Sequence, residues 1–276
     1  GLVLAGGGAR GYAHSGAIRA LREAGLVFDR AAGTSIGAIV AAGVAMDWND
    51  GELEERMRRT FLRDRPLNDY TIPFFALLRG GKVADQLRGH FGDTRIEDMR
   101  LPFFCVTSDL TSGHAAAHHA GLLWRALKAS VSIPGLLPPV VMDGHLHVDG
   151  GIMNNLPVDL MAADGRGPIV AIDVVGEAGI GYADEAYGDE NWFAAWKRRR
   201  SGAPSMAAIL MRSGTVGNEL QRRQARAQAD IVIDPALKGI GLTHWKKFDA
   251  AVEAGYRAVA EAIDANGLPK ALQAAA

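Results

Sequence analysis

Short apolar runs alternate along the chain with longer segments in which apolar residues recur at helical spacing. The runs predict β-strands at residues 2–5, 26–32, 102–108, 140–148, 168–175 and 229–235. Several of these runs are apolar at consecutive positions, which is typical of strands covered on both faces. The pattern therefore predicts a sheet that lies in the interior of the protein.

Two segments between the runs carry the helical spacing most clearly. The first spans residues 50–63 and aligns Leu53, Met57 and Phe61 on one stripe. The second spans residues 244–264, runs into an Asn-Gly pair typical of helix ends, and aligns Phe248, Val252, Tyr256, Val259 and Ile263. Alternation of strands with helices predicts a three-layer α/β/α sandwich around a mostly parallel central sheet.

The composition is that of an ordinary soluble globular protein, with 276 residues, 48% hydrophobic and 22% charged. Lys and Arg number 30 against 31 Asp and Glu, so no overall positive charge favours nucleic acid as a partner. The single cysteine, Cys105, excludes a disulfide framework and a cysteine-based zinc site. It lies in an apolar run, which predicts a buried strand residue and fits a reducing compartment.

No apolar run approaches the roughly 18 residues needed to span a bilayer. We expect one domain over residues 1–267 and a frayed tail over residues 268–276. The chain opens inside an apolar run without a methionine, so we also expect it to be part of a longer protein. The expected location is the cytoplasm or the cytoplasmic face of a membrane.

The first candidate site is the cluster GGGARG, residues 6–11, between the first strand and a helix. Gly6, Gly8 and Gly11 match a dinucleotide-binding fingerprint, for which Asp29 would be the ribose-binding acid of an NAD-type oxidoreductase. Consecutive glycines can also aim backbone N–H groups at one point, as an oxyanion hole requires. A plain tight turn is the third interpretation. The cluster alone leaves all three open.

The second candidate is GTSIG, which places Ser35 between Gly33 and Gly37. In a nucleophile elbow a strand ends, the chain turns sharply at the serine and a helix begins, and flanking glycines avoid clashes in the turn. The runs on either side fit that context, although a simple helix cap is the alternative. An α/β-hydrolase would also need a late histidine. His244 is the one late candidate, and its position at a helix start favours a capping or surface role instead.

The third candidate is Asp149, which ends an apolar run and is followed by Gly150 and Gly151. Beside Ser35, this carboxylate could accept the hydroxyl proton directly if burial raised its pKa. The alternative is an ordinary Asp-Gly turn.

His145, His147 and Asp149 alternate and would share one strand face, which raises the question of a metal site. Because no fourth ligand has suitable spacing, solvated histidines on a sheet edge are the favoured interpretation. The other histidines have structural explanations by default: we expect His118 and His119 in a loop and His14 in helix packing.

Together, GGGARG, GTSIG and the later DGG, in this order, resemble the patatin-like phospholipase family. SVSIPGLLPPVV and IVIDPALKGIGL resemble its neuropathy target esterase-type branch, and the resemblance extends from residue 1 to about residue 264. The resemblance implies a hydrolase that deacylates phospholipids or lysophospholipids and needs no metal or organic cofactor.

Carried over by position, the resemblance makes Ser35 the nucleophile and Asp149 the base. The amides of Gly7 and Gly8 would form the oxyanion hole, with Gly6 shaping the turn and Arg10 near the lipid phosphate. Family members of this branch often carry further domains upstream. A non-catalytic lipid-binding module on the same fold is the remaining alternative.

Aromatic and basic residues lie close together between residues 190 and 200. They are Trp192, Phe193, Trp196, Lys197, Arg198, Arg199 and Arg200. Aromatic rings beside a basic cluster suit a membrane headgroup interface, so this segment is a candidate for peripheral contact with anionic lipid. A surface loop that packs its tryptophans onto the body of the protein is the alternative.

Overall fold

The computed structural model describes residues 1–63, 69–71, 76–176 and 206–266. Within these ranges eight strands form one sheet. They are β1 (Leu2–Leu4), β2 (Ala31–Thr34), β3 (Phe103–Asp109), β4 (His114–His118), β5 (Val140–Met142), β6 (His145–Asp149), β7 (Val170–Ile172) and β8 (Ile231–Ile233). The strand order is β5-β6-β3-β2-β1-β7-β8, and β4 pairs with β3.

The pairs β1–β2, β2–β3, β1–β7 and β7–β8 are parallel, whereas β4, β5 and β6 pair antiparallel. Helices flank the sheet. They are α1 (Ala13–Glu23), α2 (Ile36–Ala45), α3 (Asp50–Arg58), α4 (Gly81–Phe91), α5 (Leu123–Ser130), α6 (Val158–Ala162), α7 (Met206–Thr215), α8 (Glu219–Gln228) and α9 (Phe248–Asn266). The predicted three-layer α/β/α architecture with a mostly parallel sheet is confirmed.

Two strand predictions need correction, and one strand was not predicted. Residues 26–30 are not part of β2, although Leu26 and Phe28 are buried, so their apolar character reflects loop packing. Residues 140–148 form two strands, because Asp143 and Gly144 both have positive φ and make the two-residue turn of a hairpin. Strand β4 was missed because its alanine-rich sequence lacks the β-branched residues that favour strands.

The helical stripes pack as predicted where the structure describes their side chains. Leu53 and Met57 are buried, as are Val252 and Val259. Helix α9 crosses α1 at Gly16, where a Cβ atom would collide with the Val252 carbonyl oxygen. The two helices therefore touch backbone to backbone, which holds the start of α1, directly after the glycine cluster, against the body of the protein.

The two edges of β3 explain how the site is assembled. β4 occupies one edge from Cys105 to Asp109. On the other edge, β2 runs parallel along residues 103–106 and β6 runs antiparallel along residues 107–109. Because β2 and β6 approach from opposite directions, their carboxyl ends meet beside the middle of β3. The residue after β2 and the last residue of β6 are thus brought to one point.

Candidate active site

Ser35 alone makes the turn between β2 and α2. Its backbone angles are φ 54° and ψ −128°, one of the few positive φ values at a non-glycine residue in the described ranges. Such a conformation costs on the order of 1–3 kcal/mol and persists only where surrounding structure enforces it. This is the strained strand–turn–helix geometry that projects a serine out of a sheet.

The flanking glycines are required because backbones approach closely on both sides of the turn. A Cβ atom on Gly33 would lie 2.6 Å from the carbonyl carbon of Gly37. A Cβ atom on Gly37 would lie 2.5 Å from the Ala5 carbonyl oxygen at the end of β1. Any side chain at either position would therefore displace the turn that carries Ser35.

Ser35 and Asp149 meet across the head-to-head junction of β2 and β6. Ser35 Oγ donates a hydrogen bond of 2.7 Å to Asp149 Oδ2, and the Gly151 N–H donates one of 2.8 Å to Asp149 Oδ1. Asp149 is fully buried, and Ser35 is 8% exposed. Gly150 lets this loop pass β3, because a Cβ atom there would collide with the Val106 carbonyl oxygen.

Burial raises the pKa of Asp149 to about 6, and the hydrogen bonds from Ser35 and Gly151 act in the opposite direction. Desolvation disfavours the charged carboxylate, so it is the dominant cause of the raised pKa. A carboxylate with this pKa is a better proton acceptor near neutral pH than an exposed aspartate.

The GGGARG loop lies directly against the serine. A Cβ atom on Gly6 would come within 3.0 Å of Ser35 Cβ and 2.6 Å of Asn155 Oδ1. Asn155 holds the loop by donating from Nδ2 to the Gly6 carbonyl oxygen at 3.2 Å, while the Gly6 N–H donates to the Asn155 carbonyl oxygen at 3.4 Å. In the described part of the chain, the N–H groups of Gly7 and Gly8 have no backbone acceptor.

Residues 2–162, more than half of the chain, match the family model described as patatin-like phospholipase. The chain belongs to the patatin-like phospholipase family. Ser35, Asp149 and the glycine cluster all lie within the matched residues.

Relatives of this patatin-like chain include proteins of the NTE family. An NTE family protein of Mycobacterium tuberculosis is 38% identical over 270 residues, which are 96% of this chain and 46% of that protein. Mouse patatin-like phospholipase domain-containing protein 6 is 35% identical over 93% of this chain and 20% of its own length. Lysophospholipase NTE1 of Kluyveromyces lactis is 34% identical over 93% of this chain and 18% of its own length. The chain thus spans less than half of the length of these relatives.

Among solved structures, VipD from Legionella pneumophila matches with a TM-score of 0.55 and 14% identity, over 96% of this chain and 66% of that one. At this identity the likeness concerns the fold alone. It agrees with the patatin-like architecture of the sheet and its flanking helices.

Arg10 of the patatin-like motif makes contacts that the sequence did not predict. Its Nε donates to the Ile240 carbonyl oxygen at 2.7 Å and its Nη1 to the Val175 carbonyl oxygen at 2.5 Å. Two of its five N–H donors are therefore used to tie the loop to neighbouring segments. A contact with lipid phosphate through the remaining donors stays a prediction.

The structure contradicts the dinucleotide alternative. Because β1 and β2 are parallel, the glycine cluster lies beyond the carboxyl end of β1, whereas Asp29 precedes the amino end of β2. The two features therefore lie at opposite ends of these neighbouring strands, and Asp29 pairs with Arg30 at 2.9 Å. His244 is exposed, and its Nδ1 accepts the N–H of Gly241, which precedes the helical turn. Its side chain caps no N–H of that turn, so the surface interpretation holds and the capping interpretation does not.

The histidine predictions are right in part. His145 and His147 share a face of β6 as expected, but His147 is buried rather than solvated, with Nδ1 2.9 Å from Thr107 Oγ1. His118 lies on β4 rather than in a loop, and its Nε2 is 2.7 Å from the same oxygen. Burial lowers the pKa of His118 to about 4.

His145 is the exposed member of this group, with Nδ1 2.7 Å from Asp109 Oδ2. Within the described ranges, no group of three or more His, Cys, Asp or Glu side chains could hold a metal ion. His14 packs in α1 as expected, fully buried, with Nε2 2.8 Å from the Ala5 carbonyl oxygen.

Two residues that the sequence analysis assigned no role contact the site directly. Asn155 supports the glycine loop, and the Ser130 hydroxyl accepts the N–H of Ser35 at 2.8 Å. Ser130 is the first residue of the SVSIPGLLPPVV segment and Asn155 follows the DGG motif, but the contacts of both depend on long-range packing. The aromatic and basic segment with Trp192, Trp196 and residues 197–200 lies outside the described residues, as does the tail. No described helix has the length and apolar character needed to cross a membrane.

Proposed function

We propose that the chain is a serine lipid acyl hydrolase in which Ser35 is the nucleophile and Asp149 the general base. The observation that carries this proposal is the 2.7 Å hydrogen bond from Ser35 Oγ to a fully buried carboxylate. Family membership and the elbow geometry of Ser35 support it independently.

The reaction follows from the positions of these two groups. Ser35 Oγ attacks the carbonyl carbon of an ester while its proton passes to Asp149 Oδ2. The tetrahedral intermediate collapses, the proton on Asp149 goes to the departing alcohol oxygen, and the acyl group remains on Ser35 as an ester. Water then attacks this ester while Asp149 takes a proton from the water. As the second tetrahedral intermediate collapses, Asp149 returns that proton to Ser35 Oγ, and the fatty acid is released.

The negative charge of the tetrahedral intermediate needs stabilisation beside Ser35. The N–H groups of Gly7 and Gly8 are the proposed donors, because they are free of backbone acceptors in the described part and belong to the loop that packs on Ser35. Loss of one such donor typically lowers the rate on the order of 10²–10³-fold. Gly6 supports this loop through its contacts with Asn155.

The proposed substrates are phospholipids or lysophospholipids. The name of the yeast relative, lysophospholipase NTE1, and the family description support a phosphorus-containing lipid ester as the substrate class. The proposed location is the cytoplasm or the cytoplasmic membrane face, with contact to lipid through Trp192, Trp196 and residues 197–200.

Product analysis tests this proposal. The purified protein would be incubated with vesicles of phosphatidylcholine, with lysophosphatidylcholine and with triacylglycerol, and the released fatty acid measured by mass spectrometry. We expect release from a phospholipid or lysophospholipid, reduced at least about a thousandfold in Ser35→Ala and in Asp149→Asn.

The same assay distinguishes the alternative of a non-catalytic lipid-binding module. Such a module would sediment with the vesicles but release no fatty acid from any of the lipids. Release at the wild-type rate by the Ser35→Ala variant would refute the proposed catalytic dyad of Ser35 and Asp149.

A further inference from the structure

The hydrogen-bond ladder between β2 and β3 is interrupted at its last position. In a parallel pair, alternate residues of one strand donate their N–H groups to the neighbour. The Ala31 N–H donates to the Pro102 carbonyl oxygen at 3.0 Å, and the register continues to Thr34 opposite Val106. Residues 31, 33 and 35 are the alternate positions whose N–H groups face β3. In a continuing ladder the Ser35 N–H would therefore donate to the Val106 carbonyl oxygen.

A side chain takes the place of that bond. The Ser35 N–H donates to Ser130 Oγ at 2.8 Å, and the Ser130 hydroxyl donates to the Val106 carbonyl oxygen at 2.7 Å. Ser130 is the last residue of α5 and is fully buried. Its hydroxyl thus sits between the two backbone groups that a continuing ladder would join directly.

This insertion has a geometric consequence for the nucleophile. A direct bond would draw the peptide group before Ser35 against β3, as in a continuing strand. The inserted hydroxyl moves the Ser35 amide away from β3 while both buried backbone groups remain hydrogen-bonded. The Ser130 hydroxyl thus fixes the peptide plane that precedes Ser35. From that plane, the positive φ of Ser35 directs Oγ toward Asp149.

We propose that Ser130 is a positioning residue, whose hydroxyl holds the backbone of Ser35 in the elbow conformation that aims Oγ at Asp149. This inference rests on the proposed function of Ser35 as nucleophile. Without the hydroxyl, the Ser35 N–H and the Val106 carbonyl oxygen lose their shared partner. The backbone of Ser35 would then relax toward the ladder, and small displacements of a reacting group lower rates strongly.

The test is the kinetics of covalent labelling by a fluorophosphonate probe, together with lipid hydrolysis. For Ser130→Ala we expect a labelling rate constant and a kcat lower by about 10- to 100-fold, with KM within about twofold of wild type. The fraction of molecules that finally becomes labelled should equal that of wild type. A merely structural role would instead lower that fraction and leave the rate constant unchanged.

Two further variants complete the design. Ser15→Ala removes another buried serine hydroxyl, one without a hydrogen-bond partner in the described part of the chain, and should label at the wild-type rate. Ser130→Cys keeps the size of the side chain but offers only a weak donor and acceptor, so it should label slowly even if Ser130→Ala is poorly recovered.

Labelling of both Ser130 variants at the wild-type rate would overturn the inference and leave the proposed function intact. Wild-type protein that neither labels at Ser35 nor hydrolyses lipid would remove the proposed function first.

Discussion

The raised pKa of Asp149 means that this carboxylate destabilises the folded protein at neutral pH. Burial raises its pKa from the ordinary value of 3.8 to about 6. The folded state therefore binds a proton at Asp149 more tightly than the unfolded state does. Stability from this group is greatest below the unfolded pKa, falls as the pH rises between the two pKa values, and stays low above the folded pKa.

Asp149→Asn removes this penalty. The pKa difference of about two units corresponds to about 3 kcal/mol, at 1.36 kcal/mol per unit. The asparagine has nearly the same shape, and its Oδ1 can still accept the Gly151 N–H. We therefore expect the variant to be inactive, and to gain most of this difference, somewhat more than about 2 kcal/mol of unfolding free energy relative to wild type, as the pH rises from about 4 to about 7.

Urea unfolding followed by tryptophan fluorescence measures this gain, since the chain contains five tryptophans. Wild type and Asp149→Asn would be unfolded in parallel at a series of pH values from about 4 to about 8. Subtracting the two curves removes the contributions of titrating groups that the substitution leaves undisturbed.

A difference in unfolding free energy between the two proteins that does not change with pH would refute the raised pKa of Asp149. So would a difference that changes in the opposite direction, with wild type gaining stability over the variant as the pH rises. Either result would mean that Asp149 is not a desolvated carboxylate with a raised pKa.

Three further predictions concern the general base Asp149, the turn at Ser35 and the basic residues 197–200. The value of kcat/KM should rise with pH through a single ionisation near 6, the pKa of Asp149. A rise centred near 4 would contradict the role of Asp149 as a base with a raised pKa. Gly37→Ala should abolish activity and lower the thermal midpoint of unfolding, because its Cβ would meet the carbonyl oxygens of Leu4 and Ala5. Gly89→Ala, in α4 with open space around it, should keep activity and leave the midpoint unchanged or slightly raised, since alanine favours a helix over glycine. Replacing the basic residues 197–200 with neutral ones should weaken sedimentation with anionic vesicles, and unchanged sedimentation would refute lipid contact through these residues.

The sequence was sufficient to predict the architecture and the residues of the proposed dyad. The elbow glycines and the Asp-Gly-Gly turn are local features, and the steric requirement that fixes Gly33 and Gly37 acts within a few residues and against β1. The expectation that burial would raise the pKa of Asp149 followed from the chemistry that a direct base needs.

What brings the pair together could not be predicted, because it depends on strand pairing over a long range. Antiparallel β6 pairs with residues 107–109 of β3, on the same edge as β2 and just beyond the residues that β2 occupies, and no local pattern specifies that register. The same holds for Ser130, whose hydroxyl reaches Ser35 only after α5 packs on the sheet. The burial of His147 was missed because the alternating pattern of its strand suggested a strand at the edge of the sheet. In the structure β6 is an interior strand that lies between β5 and β3, and His147 is buried.

The proposed function depends on activation of the Ser35 hydroxyl by Asp149. Its most direct test is fluorophosphonate labelling followed by peptide mapping, carried out with wild type and with Asp149→Asn. We expect a single adduct, on the peptide containing Ser35, that forms at least about a thousandfold more slowly in the variant. An adduct on another residue, or equal labelling rates in the two proteins, would contradict activation of Ser35 by Asp149.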